Sequence, residues 1–138
     1  MNSQDSKKLP AALENIHEAM SLVTSFAGKM ELSPDRIMAL EMSVEEALVN
    51  IIKYAYPGTK GYFEVSCRKT PDNKIIVEIS DEGLPFDVLA KADPDVTLSV
   101  EERQIGGLGI YLMKKLMDEV RYRRENGKNI LTLTVLRT

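Results

Sequence analysis

The stretch Val44-Glu45-Glu46-Ala47-Leu48-Val49-Asn50-Ile51-Ile52-Lys53-Tyr54-Ala55-Tyr56-Pro57-Gly58, followed by Gly61-Tyr62-Phe63-Glu64-Val65-Ser66-Cys67, decides the fold. Through its first part Ile37, Leu40, Val44, Leu48, Ile51 and Ala55 cluster on one side at ~100° per residue, the core stripe of an amphipathic helix. Pro57-Gly58 stops that helix. The period then drops to two, with Phe63, Val65 and Cys67 alternating against Tyr62, Glu64, Ser66 and Arg68, as in a half-buried strand.

Working back, Ser33-Pro34 reads as an N-cap followed by proline at the first helical position. Before it, Leu13, Ile16, Met20, Val23, Ala27 and Met30 recur at three- and four-residue steps, which predicts an earlier helix. Working forward, Pro71-Asp72-Asn73 turns the chain, and Ile75, Val77 and Ile79 form a second strand ending at Asp81, an antiparallel hairpin. From Asp87 to Ile105 the chain is polar and aperiodic, a length that points to a functional lid or to disorder. Gly106-Gly107-Leu108-Gly109 then opens a helix whose Ile110, Met113, Leu116 and Met117 share a face. Val120 to Arg124 and Ile130 to Leu136 read as strands joined through Asn126-Gly127. Two helices, two strands, a lid, a helix and two strands make an α+β sandwich, with helices on one face of a mainly antiparallel sheet.

The composition agrees with one domain over residues 1–138. The 138 residues are 43% hydrophobic and 28% charged, with net charge −3, enough to bury a sizeable core. A single cysteine excludes an internal disulfide framework and a multi-cysteine metal site. Both signs of charge are interspersed and the balance is mildly acidic, which argues against direct nucleic-acid binding. No run approaches the ~18 apolar residues of a membrane span, and the polar start is unlike a signal peptide, so a cytoplasmic protein without membrane contact is expected.

Three features carry chemistry. Glu46, Asn50 and Lys53 lie within about 60° of one another, opposite the core stripe. Such a face is ordinarily solvated, but Met42 and Val49 flank this one, as they would beside a partly covered cleft. A carboxylate, an amide and an amine converging there supply a general base, an oxygen ligand for magnesium and a phosphate counter-charge. Second, Asp81-Glu82-Gly83-Leu84-Pro85-Phe86 ends a strand. Read alone it is a turn; read functionally, a carboxylate there accepts from an exocyclic amine such as that of adenine, with Gly83 letting the ring approach. Third, backbone N–H groups at Gly107-Leu108-Gly109 can cradle phosphates, aided by the helix dipole.

Taken together, Glu46-x-x-x-Asn50, Asp81-x-Gly83-x-x-Phe86 and Gly107-x-Gly109 resemble the N, G1 and G2 boxes of the GHKL (histidine kinase-like) ATPases. The wording of the segments is similar to the anti-sigma regulatory factor serine/threonine kinase branch. The resemblance implies a Bergerat-type two-layer sandwich that binds Mg-ATP beneath an ATP lid at about 88–105. It also implies an anti-sigma factor and kinase in bacterial partner switching, which holds a sigma factor, phosphorylates a STAS-domain antagonist and forms a homodimer. By position, Glu46 would be the base, and Asn50 would bind Mg2+ bridging the phosphates. Asp81 would recognise adenine beside Gly83, and Gly107 and Gly109 would form the phosphate loop. Phe86, Lys53 and Leu108 belong to the same boxes, and Arg103 would reach the γ-phosphate when the lid closes. Tyr54 stands where many relatives of that branch carry histidine, and Asn129, Thr132 and Thr134 are the last-strand candidates for an adenine contact.

Two further readings bear on function. A histidine kinase proper needs a phosphoacceptor histidine on a helical hairpin, whereas the single His17 reads as a residue packed at the boundary of the first helix. A non-catalytic, ATP-dependent protein-binding switch would use the same boxes, yet it has no need of a carboxylate at Glu46. Cys67 alternates inward and reads as an inert core thiol. With one nucleotide-binding sandwich filling the length, whatever the chain modifies is expected on another protein.

Overall fold

In the computed structural model, residues 4–90 and 107–137 are described. The central element is α2 (Pro34–Tyr54), whose Ser33 side chain caps the first turn by accepting from Arg36 N at 3.3 Å. Its stripe is buried as expected from Leu40 through Val44, Leu48, Ile51 and Ala55, and Ser43, Ala47 and Asn50 are buried beside it. A helix with so broad a buried surface has neighbours on several sides. α1 (Ile16–Lys29) lies along one flank, α3 (Gly107–Leu116) along the other, and the sheet beneath.

Five strands form that sheet in the order β1-β2-β3-β5-β4, every pair antiparallel: β1 (Gln4–Pro10), β2 (Tyr62–Lys69), β3 (Lys74–Asp81), β4 (Glu119–Glu125) and β5 (Lys128–Leu136). α1 covers β1 and β2, α2 covers β3 and β5, and α3 reaches β4. Phe63, Val65, Ile75, Val77, Ile79, Leu131, Leu133 and Val135 face the helices and join one continuous core. Among the described residues all three α-helices thus lie on one face, the α+β sandwich expected. Both hairpins also close where expected. Asn73 adopts φ 67° after Pro71-Asp72, and Asn126 (φ 52°) and Gly127 (φ 77°) form a two-residue turn whose sense matches the strand twist.

The start of the chain differs. Strand β1, not a helix, comes first, pairing Asp5 with Cys67 and Leu9 with Phe63. Gln4-Asp5-Ser6-Lys7-Lys8-Leu9-Pro10 shows no apolar alternation, because backbone pairing and ion pairs to α1 hold this edge strand, Lys7 to Glu18 at 2.6 Å and Lys29 to Asp5 at 3.6 Å. Leu13, expected to open the first stripe, sits in a short 3-10 turn and is 68% exposed, while Phe26 fills the core. His17 is exposed rather than packed at the boundary. Cys67 is fully buried, and burial pushes its thiol up to about 12, which keeps it unreactive at neutral pH. Of the expected lid, Val88–Ala90 forms a 3-10 turn with Val88 buried; residues 91–105, Arg103 among them, lie outside the described residues.

Candidate nucleotide-binding site

Along α2, Glu46 and Asn50 stand one turn apart and touch. Asn50 Nδ2 donates to the Glu46 carbonyl at 2.8 Å and to Glu46 Oε1 at 3.2 Å. Asn50 is buried and Glu46 half-buried, so this is a covered face and not a solvated one. Cover comes from the start of α3. A Cβ at Gly109 would lie 2.3 Å from Glu46 Cδ and 2.5 Å from its Oε1, so the carboxyl occupies the space any side chain there would need. Met42, Ser43, Glu45, Val49, Leu112 and Met113 complete a groove of about 220 Å³ around this contact. The flanking Met42 and Val49 that hinted at a cleft do line one.

On the other side of Asn50, toward the sheet, lies a small cavity of about 30 Å³. Its walls are apolar, with Ala47, Ile51, Ile79 and Leu131 from α2 and the sheet and Phe86 and Val88 from the segment after β3. Asp81 and Asn129, opposite each other across β3 and β5, supply polar groups. Asp81 is 6% exposed. Its Oδ1 accepts from Asn129 Nδ2 and from Gly83 N, each at 2.9 Å. Burial raises the carboxyl pKa above the ordinary carboxylate value, against the opposing pull of those two hydrogen bonds and of the Arg124 guanidinium. A larger hollow of about 360 Å³ opens beside Lys8, Tyr62, Glu64 and Ser80. It touches Asp81 but carries none of the α2 or α3 residues.

The sequence motifs therefore converge. Glu46 and Gly109 share one groove, Asn50, Asp81 and Phe86 share the adjoining cavity, and the hydrogen bond from Asn50 to Glu46 joins the two. Gly107 opens α3, and Leu108 is exposed on its first turn. Lys53 is exposed and lines neither space. At Gly83 a Cβ would lie 2.3 Å from the Ala55 carbonyl oxygen, so glycine is required there by the docking of this turn on the C-terminus of α2. Leu84 N donates to the same oxygen at 2.9 Å. Among the last-strand candidates, Asn129 lies on the helix-facing side with Leu131 and Leu133, whereas Thr132 and Thr134 lie on the opposite face.

Two tyrosines escaped the sequence reading. Tyr122 Oη donates to Asn129 Oδ1 at 2.6 Å; its alternation with Val120 in β4 is the signal that turns it inward. Tyr56 Oη donates to the Tyr62 carbonyl at 2.6 Å and accepts from Glu82 N at 2.8 Å, tying the end of α2 to the Asp81 turn. Partners so distant in sequence leave no local signal.

For magnesium, the donor set fits. Asn50 Nδ2 is spent on Glu46, and its Oδ1 has no partner among the described residues. No group of three or more acidic, histidine or cysteine side chains gathers among the described residues. One amide oxygen suits an ion that keeps several waters and takes its other oxygens from phosphates. Among the described residues no helix is long and apolar enough to cross a membrane.

Known proteins have similar sequences and folds. The family model of the histidine kinase-like ATPase domain matches residues 9–135. The serine-protein kinase RsbW of Bacillus subtilis is 34% identical over 130 residues, covering 89% of this chain and 79% of the relative. The anti-sigma F factor of Clostridium acetobutylicum is 29% identical over 121 residues, covering 88% and 84%. Among solved structures, the RsbU and RsbW domains of Rv1364c from Mycobacterium tuberculosis align with TM-score 0.68 at 16% identity. That alignment covers 96% of this chain but 32% of the other. The histidine kinase domain of the blue-light activated kinase EL346 from Erythrobacter litoralis aligns with TM-score 0.55 at 12% identity, covering 99% and 69%. The chain belongs to the histidine kinase-like ATPase family, in the branch of the RsbW serine-protein kinases and anti-sigma factors.

Proposed function

We propose that the chain is an ATP-dependent serine/threonine protein kinase of the partner-switching type, which binds a sigma factor and phosphorylates a serine or threonine of a STAS-domain antagonist. The observation that carries the reading is the seat of Glu46: a half-buried carboxyl against Gly109 at the start of α3, one turn from Asn50 and open to a groove. Adenine enters the neighbouring cavity with its exocyclic amine donating to Asp81. Because that cavity is far smaller than a purine, the Phe86 and Val88 side chains turn outward to admit it while the Phe86 backbone stays on Asn129. The phosphates then run past Asn50 toward the N–H groups at Gly107 to Gly109, where the helix dipole favours anions. Asn50 Oδ1 would hold Mg2+, which would supply positive charge against the phosphates.

Glu46 Oε1 is engaged by Asn50, which leaves Oε2 for the substrate hydroxyl. The hydroxyl oxygen forms a bond to the γ-phosphorus, its proton passes to Glu46, and the bond to the ADP oxygen breaks. Such a step is helped chiefly by position and charge. The substrate is a second protein because the groove beside Glu46 is open. A cytoplasmic location and homodimerisation accompany this reading.

The test incubates the protein with labelled Mg-ATP and a STAS-domain antagonist. Wild-type protein transfers phosphate, and Glu46→Gln keeps ATP binding while losing about 10²–10⁴-fold in transfer rate. Undiminished transfer by the variant removes Glu46 from the mechanism. ATP binding by the wild type without transfer favours a non-catalytic switch.

A further inference from the structure

Asn129 has four hydrogen-bonding positions, and all four are occupied inside the protein. Its Oδ1 accepts from Tyr122 Oη at 2.6 Å and from Phe86 N at 3.2 Å. Its Nδ2 donates to the Leu84 carbonyl at 2.7 Å and to Asp81 Oδ1 at 2.9 Å. The residue is 5% exposed. No capacity is left for a bound base, so the last-strand residue nearest Asp81 does not read the base directly.

The orientation of the amide is also determined. Turning it over would set its NH2 against the Phe86 N–H and its oxygen against two acceptors, the Leu84 carbonyl and the Asp81 carboxylate. Tyr122 alone of the four partners could adapt, since a hydroxyl both donates and accepts. The consequence falls on Asp81. With Oδ1 taken by Asn129 and Gly83 N, and no partner on Oδ2 among the described residues, one oxygen of this carboxylate remains to accept. A fixed acceptor matches a base edge that presents an amino donor and repels one that presents a carbonyl oxygen.

We propose that Asn129, held by Tyr122, Phe86 N and Leu84 O, is a positioning residue that locks Asp81 as a single-sided acceptor and thereby sets selection of adenine over 6-oxopurines. The inference rests on the reading of Asp81 as the adenine contact. It adds a device built from three strands, in which Tyr122 of β4 acts on Asp81 of β3 through Asn129 of β5.

The test measures dissociation constants by calorimetry for Mg-ATP and for the inosine and guanosine triphosphates, on wild type, Tyr122→Phe and Asn129→Ala, each checked for folding by circular dichroism. Wild type is expected to prefer ATP by at least 100-fold, because a buried acceptor left facing a carbonyl is unpaired. Asn129→Ala is expected to cut the ATP-to-inosine ratio about 10-fold, and Tyr122→Phe about 3-fold. A merely structural role would weaken all nucleotides by one factor, so ratios unchanged in both variants overturn the lock while leaving Asp81 as the adenine contact. Wild type that binds no Mg-ATP, or binds all three nucleotides alike, overturns the adenine reading itself and the lock with it.

Discussion

The two sides of Asn50 are built on different plans. Toward the sheet, Asp81 and Asn129 are buried and joined in a network that leaves few positions unused. Toward α3, Glu46 makes one side-chain hydrogen bond among the described residues, to Asn50, and fronts a groove of about 220 Å³. A saturated polar network in a low-dielectric setting holds one geometry. A sparsely bonded carboxylate at an open groove leaves room for a partner's hydroxyl. On the proposed function the difference divides the labour: the adenine end would be set in advance by the chain itself, whereas the transfer end would be completed from outside.

The sharpest way to break the adenine end is Asp81→Asn. An asparagine keeps an oxygen for Gly83 N and Asn129 Nδ2 but turns a donor toward the adenine amine. Affinity for Mg-ATP in calorimetry is expected to fall about 100-fold or more, with the fold intact. The variant should also change the pH dependence of stability. Because burial raises the folded-state pKa of Asp81 above its ordinary 3.8, the folded protein holds that proton more tightly than the unfolded chain. Its stabilising contribution is full below that value and is lost as pH rises through the folded-state pKa. Urea denaturation from pH 3.5 to 7 is expected to show this decline in wild type and to lack it in Asp81→Asn.

The two close-approach glycines should respond in opposite ways. Gly83→Ala would drive a methyl group into the Ala55 carbonyl and Cβ, at 2.3 and 2.6 Å, with the immovable backbone of α2 behind them. Denaturation is expected to show a loss of about 1–3 kcal/mol. Gly109→Ala meets only the end of the Glu46 side chain. That side chain can swing away, and alanine in a helix regains about 1 kcal/mol over glycine, so stability should change by under about 1 kcal/mol. Phosphate transfer is nevertheless expected to fall about 10-fold, since Glu46 is displaced from its seat; a rate unchanged in that variant would mean the seat is irrelevant to transfer.

Where structure follows from local pattern, the sequence was readable. The α2 stripe, its Ser33-Pro34 start, both hairpin turns and the inward alternation of Cys67 depend on neighbours within a few residues. Strand β1 was not, because its ladder to β2 and its pairing with Glu18 and Lys29 leave no periodicity in Gln4–Pro10. The candidate site divides likewise. Glu46, Asn50, Asp81 and Gly109 could be named from spacing. That Asn129 faces the helices beside Asp81 while Thr132 and Thr134 do not was available from the period of two, since Leu131, Leu133 and Val135 mark the inward face, but it became clear only with the strand in place. Tyr56 depends on contacts 6 and 26 residues away along the chain, which no window on the sequence displays.

Helix α2 also acts as a gauge. Both working ends hang from one rigid rod, so their separation is set by residue count: from Glu45 in the groove to Ile51 in the cavity is six residues, ~9 Å of axial rise at 1.5 Å each. Adding or removing one residue between them would alter that span only slightly but rotate one end against the other by ~100°. The surface turns at Pro71-Asp72-Asn73 and Asn126-Gly127 can absorb such length changes, whereas the stretch from Glu45 to Ile51 cannot. In a collection of random insertions and deletions, that interval should therefore be a gap among the tolerated positions.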